Sequence, residues 1–205
     1  MTTIECINLV KEVFLTGTAI TGVYVAIQGL DTWKQQLKGQ ADYNLARSLL
    51  INTYKYRDAL YFVRNPIMTG AELALTQEEK QGALTYNEES YRGNVKAYQK
   101  RWDAVLKCRN EISADIIEAE ALWGKAMPKI IRNLINQEDE LYRQINHFLA
   151  IKNPNLSNDE KDFDRKNFNR KFLYDSFDDT KDPFRLSFSE ALLPIESYLR
   201  GKLHR

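Results

Sequence analysis

The chain has two imidazoles, His147 and His204, and each follows an arginine by four positions: Arg143 before His147 and Arg200 before His204. On a helix that spacing puts both side chains on one face, one turn apart. An arginine there would neutralise a phosphodiester and a histidine would move a proton, which is the chemistry of RNA cleavage. Chance is the competing reading. The chain carries 29 Lys and Arg in 205 residues, so an arginine near any histidine is unremarkable. His147 also falls off the apolar stripe of its segment, as a solvated side chain does. No Gly-rich phosphate loop, paired-histidine metal motif or Gly-x-Ser-x-Gly elbow is present. Two histidines are too few for most histidine-based metal sites. Cys6 and Cys108 stand far apart and match no metal spacing or disulfide framework. The chain is therefore expected to be no enzyme and to hold no metal and no cofactor, with Arg143 and His147 its catalytic candidates.

Two other charges stand out by position. The segment 87–123 carries an apolar stripe at Tyr91, Val95, Tyr98, Trp102, Val105, Ile112, Ile116, Ala119 and Trp123, spaced four and three throughout. Only Arg109 breaks it. Such a repeat implies coiled-coil-like packing along one face. The segment 128–151 repeats the pattern with Ile131, Leu134, Leu141, Ile145 and Phe148, and Glu138 breaks that one. Arg109 and Glu138 are expected to pair across a bundle. Lys96, Lys100, Arg101 and Lys107 lie among carboxylates and read as a solvated face, so direct nucleic-acid binding is not expected.

The elements that must position these residues begin with 13–30, VFLTGTAITGVYVAIQGL, which contains no charge. As a helix it would be about 27 Å long, close to bilayer thickness. It is expected to be a transmembrane helix of a single-pass inner-membrane protein. Trp33, Lys34 and Lys38 follow it and put the C-terminal domain in the cytoplasm. No basic residue precedes Lys11, which argues against a cleaved signal peptide. Around the helix, Lys11, Phe14, Thr18, Thr21, Gly22, Val25 and Gln28 share one face, and Thr16, Ile20, Val23 and Ile27 the other. Thr18, Gly22 and Ala26 stand four apart, as do Gly17 and Thr21, the spacing that lets helices approach closely. The first face is expected to line a pore or a helix interface, in a homo-oligomer embedded in a lipid bilayer.

The rest reads as all-α. A net charge of +1 and nine glycines in 205 residues fit a helical domain with no strong field. Ala46, Leu49, Thr53, Tyr56, Leu60 and Val63 form one stripe that Pro66 should end. A short helical piece is expected around 71–81, and Gly124 with Pro128 marks the turn between the two long helices. Residues 153–186 are polar and weakly periodic, and predict a surface insertion. The last helix is expected from Ser187, with Glu190 completing a capping box and Pro194 inside it. The domains are 1–32, carrying the membrane helix, and 33–205, a cytoplasmic bundle.

GLDTWKQQLKG (29–39), YNLARSLL (43–50), YKYRDALYFVRNP (54–66), YQKRW (98–102) and EAEALWG (118–124) resemble a family of bacterial single-pass membrane proteins with helical cytoplasmic domains. Size and layout are similar to the small membrane accessory proteins encoded beside the RNA-guided RNA-cutting effector of type VI-B CRISPR systems. That resemblance implies a divergent HEPN-like bundle, a ring-shaped oligomeric pore that enhances antiphage defence, and a functional link to the ribonuclease effector. The HEPN signature is Arg, four to six residues, then His. Both Arg–His pairs here have three residues between them, and Arg132-Asn133 is followed by Glu138 where a histidine would stand. The alternatives are an anchored scaffold that binds a protein partner and a divergent HEPN ribonuclease.

Overall fold

The computed structural model describes residues 3–80, 82 and 84–203, with the backbone alone for residues 3–10, 12 and 13. Among the described residues the chain is all-α: α1 (Thr3–Val63), α2 (Gly70–Leu73), α3 (Tyr86–Trp123), α4 (Ala126–Lys152), α5 (Asn158–Asn167), α6 (Arg170–Leu173) and α7 (Pro183–Leu203). The chain divides into two compact units, Met1–Asn44 and Leu45–His204.

The first unit is helical throughout its described length. The expectation of a single-pass inner-membrane protein with a cytoplasmic C-terminal domain is corrected here. Among the described residues no helix is long and apolar enough to cross a membrane. Across the described stretch 14–31, Thr16, Thr18, Thr21, Tyr24, Gln28 and three glycines dilute the hydropathy and Asp31 adds a charge.

The second unit holds the core. From α1 it takes Ala46, Leu49, Thr53, Tyr56, Leu60 and Val63, all at most 1% exposed. This is the expected stripe, and Pro66 follows the end of the helix. From α3 come Tyr98, Trp102, Val105, Ile112 and Ala119. The heptad stripe is thus covered within this unit. α3 begins at a capping box in which Thr85 and Glu88 satisfy each other's backbone N–H groups. It ends at Gly124, whose φ of 74° only glycine adopts readily. α4 then packs back on α3 and contributes Met127, Ile131, Leu134, Leu141 and Ile145. Gly93 has a different reason to be glycine: a Cβ there would stand 2.6 Å from the Leu73 carbonyl oxygen, where the end of α2 meets α3.

The segment 153–186 holds α5 and α6, and Leu173, Asp175, Asp182 and Phe184 within it are buried. α7 starts at Pro183, four residues before Ser187. Asp182 is the reason: its Oδ1 accepts from the Arg185 backbone N–H at 2.9 Å. Asp followed by Pro is a strong helix start. Ser187 instead donates to Gln137 Oε1 at 2.8 Å. α7 runs on through Pro194 and buries Phe184, Phe188, Leu192, Ile195 and Leu199.

Candidate functional site

The residues of 13–30 are weak helix formers. Thr, Val, Ile and Gly predominate, and each costs a few tenths to about 1 kcal/mol relative to Ala. Helices in proteins draw most of their stability from a packed face. Here none is packed: every residue from Phe14 to Ala41 is exposed. Phe14 is 72% exposed, Ile20 66% and Tyr24 62%, and Leu15, Val23, Val25, Ile27, Leu30, Trp33 and Leu37 are exposed with them. Phe14, Gly17, Thr18, Thr21, Gly22 and Val25 line a shallow groove of about 650 Å³ along one side. Lys11 and Gln28, expected on that face, are exposed as well. A Cβ added at Gly17, Gly22 or Gly29 would meet nothing within 4 Å. The threonine hydroxyls are already used. Thr18 donates to the Phe14 and Leu15 carbonyls at 3.0 and 2.9 Å, and Thr21 to the Gly17 carbonyl at 2.8 Å. The groove therefore presents methyl groups and backbone, with no polar atom that needs a new partner. Since no described helix crosses a membrane, a pore through a bilayer has no support in the structure.

In the second unit the two stripe-breaking charges meet. Arg109 Nη1 donates to Glu138 Oε2, and the Tyr56 hydroxyl donates to the same oxygen. Glu138 and Tyr56 are buried and Arg109 is half-buried. Burial raises the Tyr56 pKa far above its usual value, and the Glu138 charge adds to the shift. The phenol therefore stays protonated and donates. The cluster joins α1, α3 and α4 at one point. It holds the three helices together.

Arg143 and His147 are not brought together on a substrate. Arg143 is mostly exposed and donates through Nε to Glu140 Oε2 at 3.1 Å. His147 Nδ1 lies 2.7 Å from Asp164 Oδ1, and the Phe163 ring is 6.0 Å away. A carboxylate only accepts, so Nδ1 carries the proton and the contact clips α5 to α4. Each half of the expected pair already has an acidic partner. The side chain of Cys6 and all of His204 lie outside the described residues. Cys108 is a half-buried free thiol whose pKa burial raises, the opposite of activation. No group of residues among those described is arranged to hold a metal ion.

Two arginines matter more than the sequence suggested. Arg101, read as part of a solvated face, is 2% exposed. It donates to the Asn65 and Ile67 carbonyls at 2.7 and 2.8 Å and to both oxygens of Glu72. It thereby caps the turn that ends α1 and fixes α2. Its hydrogen bond and charge pull the Glu72 carboxyl down to about 2. Arg64 is fully buried. It donates to the Phe172 and Tyr174 carbonyls at 2.8 and 3.1 Å and to Asp182 Oδ2 at 2.9 Å, with its guanidinium over the Phe184 ring. Burial pushes the Asp182 carboxyl up, but hydrogen bonds from Arg64, Ser176 and Arg185 outweigh it and leave it below the usual carboxylate range. The adjacent Asp175 takes both forks of Arg185 at 2.7–2.8 Å. Neither arginine breaks an apolar stripe, which is why periodicity passes over them. The one signal at hand is their place, Arg64 at the Asn65-Pro66 break and Arg101 facing it.

No protein-family model, curated protein or solved structure matches the chain.

Proposed function

We propose that this chain is a non-catalytic assembly protein whose first helix buries itself against copies of the same helix. One observation carries the reading: a helix of weak helix formers presents ten large apolar side chains to solvent between Phe14 and Leu37. Fully burying one such side chain is worth about 1.5–3 kcal/mol, and contiguous exposed apolar surface of this extent marks an interaction site. A helix apolar on all sides is a buried helix. The partner we assign is a second copy, because the two faces are complementary. One is a groove floored by Gly17, Thr18, Thr21 and Gly22, and the other is a ridge of Ile20, Val23 and Ile27. A groove and a ridge on one element make a heterologous contact, which closes as a ring when the rotation permits. The body contributes no chemistry in this reading, since Arg143 and His147 are each engaged by a carboxylate. The accessory role beside an RNA-guided ribonuclease, implied by the sequence resemblance, is assigned to this scaffold and not to a channel.

Cysteine crosslinking tests the contact. In a background with Cys6→Ser and Cys108→Ser, the double variant Gly22→Cys/Val23→Cys should give a ladder of crosslinked species on mild oxidation. Either single variant should give almost none. A strong dimer from Gly22→Cys alone means a two-fold contact and contradicts the groove-and-ridge arrangement. No crosslinking in any variant contradicts assembly through this helix.

A further inference from the structure

A cavity of about 640 Å³ opens in the second unit, independent of the assembly face. Its volume is that of a small-molecule site. Phe148 and Lys152 reach it from the end of α4, Phe168 from the turn between α5 and α6, Arg170 from the start of α6, Tyr174 from beyond α6 and Pro66 from beyond α1. Three rings form its wall. Phe148 stands at the centre, 6.1 Å from Phe168 and 6.1 Å from Tyr174 between centroids. Two cations flank the wall, Lys152 with Nζ 5.9 Å from the Phe148 ring and Arg170 with Cζ 5.7 Å from the Tyr174 ring.

Among the described residues neither cation makes an ion pair. No carboxylate lines the cavity. The wall is also held rigidly from behind. Buried Gln144 accepts from the Asn169 N–H at 2.7 Å, and buried Arg64 donates to the Tyr174 carbonyl while its own carbonyl accepts from Asp175 N–H at 2.9 Å. Two costly buried polar groups thus fix the backbone that carries Phe168, Arg170 and Tyr174.

We infer that this cavity binds a nucleotide, its base stacked on the Phe148–Phe168–Tyr174 wall and its phosphate held by Lys152 and Arg170. The chemistry excludes simpler ligands. An apolar molecule would strip water from two cations without replacing it. A bare anion would leave the aromatic wall unused. A base stacked on an aromatic side chain is worth about 1–3 kcal/mol, and Arg and Lys donors suit a phosphate. The same chemistry is offered by a free mononucleotide and by the 5′ end of a single strand.

Isothermal titration of the full chain tests this with adenosine 5′-monophosphate, adenosine, ribose 5-phosphate and a 5′-phosphorylated pentaadenylate. Adenosine 5′-monophosphate should bind at least about tenfold more tightly than adenosine or ribose 5-phosphate. Lys152→Gln and Arg170→Gln, both at exposed positions, should each weaken it about five- to tenfold and leave adenosine unchanged. Phe168→Leu should weaken adenosine 5′-monophosphate and adenosine alike. The pentanucleotide binding more tightly than the monomer assigns the site to strand ends, and binding more weakly assigns it to free nucleotides. No binding at millimolar ligand, equal binding of ribose 5-phosphate, or binding unchanged in both cation variants overturns the inference, provided the urea midpoints of the variants match the parent.

Discussion

Helix α1 has two halves with opposite fates. From Leu45 to Val63 one apolar stripe, Ala46, Leu49, Tyr56, Leu60 and Val63, is buried in a core, while Ile51 and Phe62 off that stripe stay exposed. Its polar residues are matched to partners far along the chain. Ser48 and Asn52 donate to Asp115, the Tyr54 hydroxyl to Glu196 and the Tyr56 hydroxyl to Glu138. From Phe14 to Leu37 the apolar residues lie on every side and none is buried. Thr18, Thr21 and Thr32 bond to the preceding turn of their own helix. One half is packed within the chain, and the other is exposed along its described length. The comparison teaches that burial and polar matching travel together. A half-helix with neither is the surface on which the proposed assembly rests.

Substitutions should therefore separate into two kinds. The largest effect is expected in the second unit. Arg64→Ala leaves Asp182 buried without its cation and frees the Lys171, Phe172 and Tyr174 carbonyls. It should lower the unfolding free energy by about 3–5 kcal/mol in urea titrations while leaving subunit association of the folded fraction unchanged. Next comes the Tyr56–Glu138–Arg109 cluster. Arg109→Ala or Glu138→Ala should cost about 2–3 kcal/mol. The exchange Arg109→Glu/Glu138→Arg should recover part of that, and less than all of it, because the Tyr56 hydroxyl loses its carboxylate acceptor. No recovery in the exchange would mean the pair does not act as a pair.

Gly22→Leu acts on the other half. It fills the groove and should weaken association about tenfold, roughly 1.4 kcal/mol, with the urea midpoint of the second unit unmoved. A shift in that midpoint instead would erase the distinction between the halves. The smallest effect is a pH dependence. Hydrogen bonds from the Arg101 guanidinium and the Thr69 N–H hold the Glu72 carboxyl down at about 2, below the usual 4.5. A depressed folded value means the contribution is fully present above about pH 4.5 and is lost as pH falls towards 2. Glu72→Gln should remove that part of the acid sensitivity, seen as a shallower stability profile over that window.

Much of the second unit was legible in residue order. The α1 stripe, the span of α3 and the positions of Arg109 and Glu138 all follow from a period near 3.5, because buried faces repeat. What escaped was held by backbone acceptors. Arg101 and Arg64 bind carbonyls at the ends of other elements, and side-chain patterns carry no trace of a carbonyl's location. The start of α7 was legible in principle: Asp182-Pro183 is an N-cap followed by a first-turn proline, and the Ser187–Glu190 spacing outcompeted it. In the first half of α1, the length of the uncharged run predicts a membrane span, while its threonines, glycines and glutamine count against one. Its grouping of Thr18, Thr21, Gly22 and Val25 on one face stands as geometry whatever covers it. The cation-and-aromatic cavity was invisible because its six residues come from four separate stretches of chain.

The mass of the particle in solution tests assembly most directly. Sedimentation equilibrium of the full chain at micromolar concentration should give a fixed multiple of 23.9 kDa, and Gly22→Leu should shift it towards the single chain. A wild-type mass of one chain, or a multiple that Gly22→Leu and Val23→Asn both leave intact, would contradict assembly through the first helix.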